Sequence, residues 1–168
     1  MFDSQRVLAT LRSLIYAGGF VGLWTWVGYS VRPFDAHLPF TVSPALRPVG
    51  FVLGVIGGLV VTWCVGVFVV RGRGTPAPFD APRRFVVTGP YRYVRNPMYI
   101  GAMTIIAAAG LILRAPSLVV LAGFFWLCTH LFVLRYEEPT LTHQFGDAYR
   151  RYKATVRRWL PRWRVRAQ

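Results

Sequence analysis

Four stretches of the chain carry no acidic or basic side chain: Ser13–Val31, Val49–Val70, Pro97–Leu113 and Ala115–Leu134. A helix needs roughly 20 apolar residues to cross the hydrocarbon of a bilayer, so each stretch predicts one crossing, the third being marginal in length. Arg114-Ala115-Pro116 predicts a tight hairpin between the third and the fourth. Pro48, Pro97 and Pro116 fall where a first helical turn would lie, and there a missing N–H costs no hydrogen bond. No small-residue cleavage site followed by a soluble domain comes after the first stretch, which therefore reads as a helix rather than a leader. Gly18/Gly22, Gly50/Gly54 and Gly54/Gly58 have the spacing that lets helix backbones approach within a membrane.

Beyond the fourth stretch the pattern changes. Leu141, Phe145, Tyr149, Tyr152, Val156 and Trp159 recur every three or four residues, with Arg150, Arg151, Lys153 and Arg157 between them. This predicts an amphipathic helix that lies on the membrane surface or closes over a pocket. Arg158-Trp159-Leu160-Pro161-Arg162-Trp163 then ends it with aromatics at interfacial depth. The predicted fold class is all-α: a polytopic integral membrane protein forming one domain over residues 1–168. It has four transmembrane helices, a loop over 71–96 and a C-terminal segment over 135–168 that carries the amphipathic helix.

Charge orients this arrangement. With four crossings, seventeen of the twenty Lys and Arg residues fall on one face, and Arg32, Arg47 and Arg114 fall on the other. Basic residues favour the cytoplasmic side, so both termini are expected there, in a bacterial inner membrane. The formal net charge of +14 does not predict a nucleic-acid partner, because the basic residues lie between and after apolar spans rather than along one exposed face. Anionic lipid headgroups fit better. Cys64 and Cys128 lie inside apolar blocks, and His37, His130 and His143 are scattered, so no metal site is expected. Gly72-Arg73-Gly74-Thr75-Pro76-Ala77 formally fits a dinucleotide fingerprint, but Pro76, Pro78 and Pro82 exclude the strand-to-helix context that it needs.

Two polar segments flank the last two spans. Gly89-Pro90 predicts a turn and Pro97 a helix start, which puts Arg95 and Asn96 beside free N–H groups able to receive an anion such as a carboxylate. A positive-inside loop whose arginines meet lipid phosphates is the competing structural account. After the fourth span, Glu137 and Glu138 contribute two of only six acidic residues, and Pro139 predicts that the helix ends or kinks at this pair. Their carboxylates could pair with Arg135 or loop arginines, or accept from the hydroxyls or ammonium of a ligand.

The run Gly89-Pro90-Tyr91-Arg92-Tyr93-Val94-Arg95-Asn96-Pro97-Met98-Tyr99-Ile100-Gly101, taken with Glu137-Glu138-Pro139-Thr140-Leu141 and Phe145-Gly146-Asp147-Ala148-Tyr149-Arg150-Arg151-Tyr152, resembles the isoprenylcysteine carboxyl methyltransferase family and its wider superfamily with the phospholipid methyltransferases. Arg95, Pro97, Tyr99 and Gly101 match an Arg-His-Pro-x-Tyr-x-Gly pattern, while Glu137, Glu138 and Leu141 match Glu-Glu-x-x-Leu. The resemblance covers about the C-terminal half and implies an all-helical membrane enzyme using S-adenosylmethionine. It implies catalytic roles for Arg95, Glu137 and Glu138. Cofactor contacts are implied at Tyr91, Asn96, Pro97, Tyr99, Gly101, Glu137, Glu138 and Leu141. Asn96 stands where the pattern has histidine, and its amide can hydrogen-bond but cannot titrate.

The expected reaction is methyl transfer to a lipophilic membrane-resident acceptor, with an isoprenoid or prenylcysteine carboxylate favoured and a quinol-like phenol or phospholipid amine also open. In-line displacement asks chiefly for alignment and water exclusion. Two other classes compete: a membrane oxidoreductase using a nicotinamide cofactor, since sterol-type reductases carry a related motif, and a non-enzymatic lipid-binding scaffold.

Overall fold

The computed structural model describes residues 4–67, 70 and 87–161. Most of the loop expected over 71–96, the Gly72–Ala77 stretch and Trp163 lie outside these. Among the described residues there are five α-helices: α1 (Ser4–Val31), α2 (Arg47–Val67), α3 (Pro97–Ile112), α4 (Pro116–Phe132) and α5 (Glu138–Thr155). Short 3-10 turns cover Arg32–His37, Pro44–Leu46 and Gly89–Arg92, and a π turn covers Val133–Glu137. Among the described residues there is no strand.

The helices coincide with the four apolar stretches to within a few residues, except that α1 begins well before Ser13. Pro97 and Pro116 open α3 and α4, and Pro48 is the second residue of α2. Among the described residues two helical stretches are long and apolar enough to cross a membrane: Pro44–Val67, with mean hydropathy 2.2, and the continuous run Pro116–Thr155, with 2.1 in its apolar window. Pro97–Ile112 is apolar but shorter.

The chain divides into two compact units, one of Gly19–Val61 and Met98–His130, the other of Met1–Gly18, Thr62–Pro97 and Leu131–Gln168. In the first, Ala115, Leu118 and Leu121 form a buried cluster against Trp24, Val27, Val31, Ile106 and Ala109. Phe125 is fully buried, its ring edge-on to Trp24 at 4.7 Å. α2 and α3 cross at Gly57, where an added Cβ would lie 2.8 Å from the Gly101 carbonyl oxygen. Gly50 makes a similar approach to Ile112, Leu111 and Ala108, whereas Gly18, Gly22 and Gly58 have open space around them. Of the glycines in the four-residue pairs only Gly50 makes such an approach, Gly54 being in ordinary contact with Ala108, and Gly57 is the other close position on α2.

The predicted α3–α4 hairpin forms. Arg114 takes the left-handed conformation at φ 54°, and the Ala115 N–H donates to the Gly110 carbonyl at 2.8 Å, closing α3 with the bond pattern of a Schellman cap. The Asp35 carboxylate accepts from the Ser117 N–H at 2.8 Å and caps the start of α4. Its pKa is lowered: burial pushes it up, but the bonds from Ser117 and Arg32 outweigh that.

The expected break at Glu138 does not occur. Glu138 is helical, with φ −65° and ψ −40°, and the helix passes through the π turn with the Glu138 N–H donating to the Val133 carbonyl. Widening the turn by one residue relieves the clash between a proline ring and the carbonyl four residues back, so Pro139 sits in the first turn of α5 without ending the helix. The break comes instead inside the predicted amphipathic helix, at Gly146 (φ 53°, ψ −127°). The helix ends at Thr155, and Val156 is extended.

Candidate functional site

The loop entering α3 is shaped by Gly89. Its φ of +60° suits glycine, and a Cβ there would come within 2.9 Å of Val67 Cγ2 and 3.2 Å of Trp63 Nε1. From this point Gly89–Arg92 makes one 3-10 turn, with the Tyr93 and Val94 N–H groups donating to the Pro90 carbonyl. The next two residues are clasped by the chain beyond α5. The Arg95 N–H donates to the Arg157 carbonyl at 2.9 Å, and the Asn96 N–H to the Arg158 carbonyl at 3.3 Å.

The same clasp brings side chains together. Glu138, 5% exposed, receives Arg158 Nε at 2.7 Å on Oε1 and Arg158 Nη2 at 3.0 Å on Oε2, a bidentate fork. Arg95 Nη1 lies 3.0 Å from Oε1, and Lys153 Nζ 3.3 Å from Oε2. The Arg95 contact is off-axis for a hydrogen bond, so it acts as an attraction of charges. Burial pushes the Glu138 pKa up, yet the Arg158 hydrogen bond and the charges of Arg95 and Arg158 hold it below its ordinary value. One carboxylate is thus surrounded by three cations.

Tyrosines close the other side. Tyr149, Tyr152 and Val156 are buried against Val87, Leu141 and Phe145, so the predicted apolar stripe packs within the protein. The Tyr152 hydroxyl donates to the Tyr91 carbonyl at 2.6 Å. Burial, followed by the Glu138 charge for Tyr149 and by Tyr149 for Tyr152, raises both phenols above their ordinary value. Burial likewise raises Tyr91.

Tyr91, Arg95, Asn96, Pro97, Glu137, Glu138 and Leu141 fall in one compact unit, while Tyr99 and Gly101 fall on α3 in the other. Gly101 abuts α2: a Cβ on it would lie 2.8 Å from Val61 Cγ2. Glu137 closes the π turn, half-buried, and its charge adds to the upward shifts of Tyr91, Tyr149 and Tyr152. Arg135, a partner considered for the glutamates, is exposed. Arg158 and Lys153 were read only as parts of an amphipathic helix and its end, and Tyr149 and Tyr152 as its apolar stripe and as part of the run that carries the resemblance, without a role. The available signal was the scarcity of acid: a buried glutamate in so basic a chain gathers whichever cations can reach it.

Five buried donor or hydroxyl atoms in these units have no well-aligned hydrogen-bond partner among the described residues: Thr88 Oγ1, Arg95 Nε and Nη1, Asn96 Nδ2 and Ser117 Oγ. Three of them, on Arg95 and Asn96, belong to residues adjacent in sequence immediately before Pro97. Buried donors are almost always satisfied, and although the Tyr149 hydroxyl lies within reach of Arg95, this pair keeps donors to offer a further acceptor. The family model described as phospholipid methyltransferase matches residues 46–148, more than half of the chain. The chain belongs to the phospholipid methyltransferase family. This family lies in the isoprenylcysteine/phospholipid methyltransferase superfamily that the sequence resembles, and membership makes the protein a membrane methyltransferase by family. The matched residues include both motif segments, from Tyr91 to Gly101 and from Glu137 to Leu141, but stop before Lys153, Arg157 and Arg158. No individually curated protein matches the sequence.

Proposed function

We propose that the protein transfers a methyl group from S-adenosylmethionine to a lipophilic acceptor resident in the membrane, with α1 to α4 as four crossings and both termini on the cytoplasmic side. The observation that carries this reading is the Arg95–Asn96 pair, whose buried donors lack well-aligned acceptors at the start of α3. Such donors fit the amino-acid carboxylate of the cofactor, helped by the free N–H groups of the helix N-terminus. Glu137 supplies an acceptor for ribose hydroxyls or the ammonium, and Tyr91 presents an aromatic face suited to a cation. Pro97 opens α3 directly after the pair, and Leu141 supports the tyrosine cluster. All four lone-pair directions of Glu138 already face Arg95, Arg158 and Lys153, so in this reading it holds Arg95 in place.

When bound, the cofactor supplies an electrophilic methyl group. An isoprenoid or prenylcysteine carboxylate accepts it without a base, and Arg95 could orient that anion. A phospholipid amine, which the family description favours, must shed a proton, and Glu137 is the nearest candidate base. Calorimetry on the detergent-solubilised protein should show saturable binding of S-adenosylhomocysteine and none of NADPH. Incubation of membrane lipids with methyl-labelled cofactor would then identify the acceptor. NADPH binding with no response to S-adenosylhomocysteine would replace this reading by an oxidoreductase, and binding of neither by a lipid-binding scaffold.

A further inference from the structure

A cleft of about 510 Å³ opens on α5 and the chain beyond it. Leu134, Pro139, Glu138 and Thr142 line it together with His143, Arg150, Lys153 and Arg158. Leu134, Glu138 and Thr142 succeed one another at four-residue steps, whereas Leu141 belongs to the tyrosine cluster, so the cleft occupies a different side of the helix.

Its charge is unbalanced. Three cations, Arg150, Lys153 and Arg158, line it with one carboxylate, Glu138, which Arg95 also engages, while Asp147 pairs with Arg150. Lys153 uses one of its three N–H donors on Glu138, and Arg150 engages Asp147 through Nη1 at 2.7 Å. Their side chains, 39% and 68% exposed, keep further donors, and their positive charge favours an anion as the partner.

Position selects the kind of anion. α4 has 17 residues, a length of about 26 Å at 1.5 Å per residue, close to the thickness of bilayer hydrocarbon. Leu131, Phe132 and Leu134, at the end of this run, are exposed apolar side chains of the sort that face lipid. A cleft lined both by Leu134, at the end of the apolar run, and by Arg150, Lys153 and Arg158 matches the layer where glycerol gives way to phosphate. We propose that this cleft binds the phosphodiester of one anionic membrane lipid, with Lys153, Arg150 and Arg158 on the phosphate and Leu134 and Pro139 against the glycerol and first methylenes. The lipid acts here as a ligand that fastens α5 to the surface, whatever the methyl acceptor is.

Phosphatidylglycerol, which has no amine to methylate, is a suitable probe. Native mass spectrometry of the full-length protein, solubilised with mixed phosphatidylglycerol and phosphatidylcholine, should show one phosphatidylglycerol retained in preference. Arg150→Gln and Lys153→Gln should each weaken that retention about five-fold, the effect of one cation at a membrane surface. Arg150→Lys and Lys153→Arg should retain it, which separates lost charge from lost folding. Arg151→Gln removes an equally exposed charge that does not line the cleft and should leave retention unchanged. Equal retention of the two lipids, or an Arg151→Gln effect as large as that of Arg150→Gln, would overturn the site in favour of diffuse attraction. Displacement by inorganic phosphate as effectively as by phosphatidylglycerol would overturn the lipid as the occupant.

Discussion

Glu138→Gln keeps the size of the side chain and removes its charge, and the cost can be worked from the contacts. Whichever way the amide turns, its NH2 group meets a cation: Arg95 and Arg158 Nε on one side, Arg158 Nη2 and Lys153 on the other. Arg95, with its side chain 10% exposed, loses its counter-ion without gaining water, while Arg158 at 22% and Lys153 at 39% regain part of their hydration. Breaking a buried ion pair costs about 3–5 kcal/mol, and the partial exposure of two partners places this case near about 3 kcal/mol. For a chain of this size that corresponds to a fall in Tm of roughly 6–12 °C. Glu137→Gln, on a half-buried residue outside the three-cation cluster, should lower it much less.

Thermal unfolding of the solubilised protein, followed by tryptophan fluorescence, measures both variants. A pH series adds a second check. Because the folded-state pKa of Glu138 is depressed, its contribution is fully present above the ordinary value of 4.5 and is lost as the pH falls through the lowered value. Wild type and Glu138→Gln should therefore differ most near neutrality and converge in acid. A Glu138→Gln midpoint within about 2 °C of wild type at neutral pH, less than the shift for 1 kcal/mol, would refute the charge-cluster account.

Gly57→Ala should destabilise by about 1–3 kcal/mol, because its Cβ would press on the Gly101 backbone, and the same unfolding assay reads it against a milder Gly58→Ala. Asp35→Ala removes the acceptor that caps α4 and should cost about 0.5–2 kcal/mol, with Asp35→Asn recovering most of it. A reporter fused to the C-terminus should be active only as a cytoplasmic type; activity of a periplasmic type there would remove the four-crossing topology.

The helices were legible because a membrane span leaves a coarse mark: an absence of charge between prolines whose missing N–H suits a first turn. The hairpin at Arg114 was legible for the same reason, since Pro116 must begin something. The site was half legible. Arg95, Asn96 and the two glutamates announce themselves as polar residues beside apolar spans, but nothing local tells which cation reaches Glu138. Arg158 is twenty residues away and arrives through an extended segment after α5 whose position depends on the burial of Val156. The π turn was hidden because it spends one additional residue without changing composition, and Pro139 therefore read as the mark of an end or a kink. Gly146 looked like a tolerable glycine within a periodic stripe, since periodicity reports which side chains are buried rather than whether the backbone between them is continuous.

The π turn at Val133–Glu137 sets the phase of everything after it. Each residue advances an α-helix by about 100°, so the additional residue decides which of two neighbouring glutamates turns inward. Substitutions along the turn that preserve its length leave Glu138 facing Arg95 and Arg158. Deleting one residue between Leu134 and Tyr136 would restore a regular helix and rotate the pair, offering the cations a different carboxylate although both glutamates survive. At this point the chain is more sensitive to a change in length than to a change of side chain.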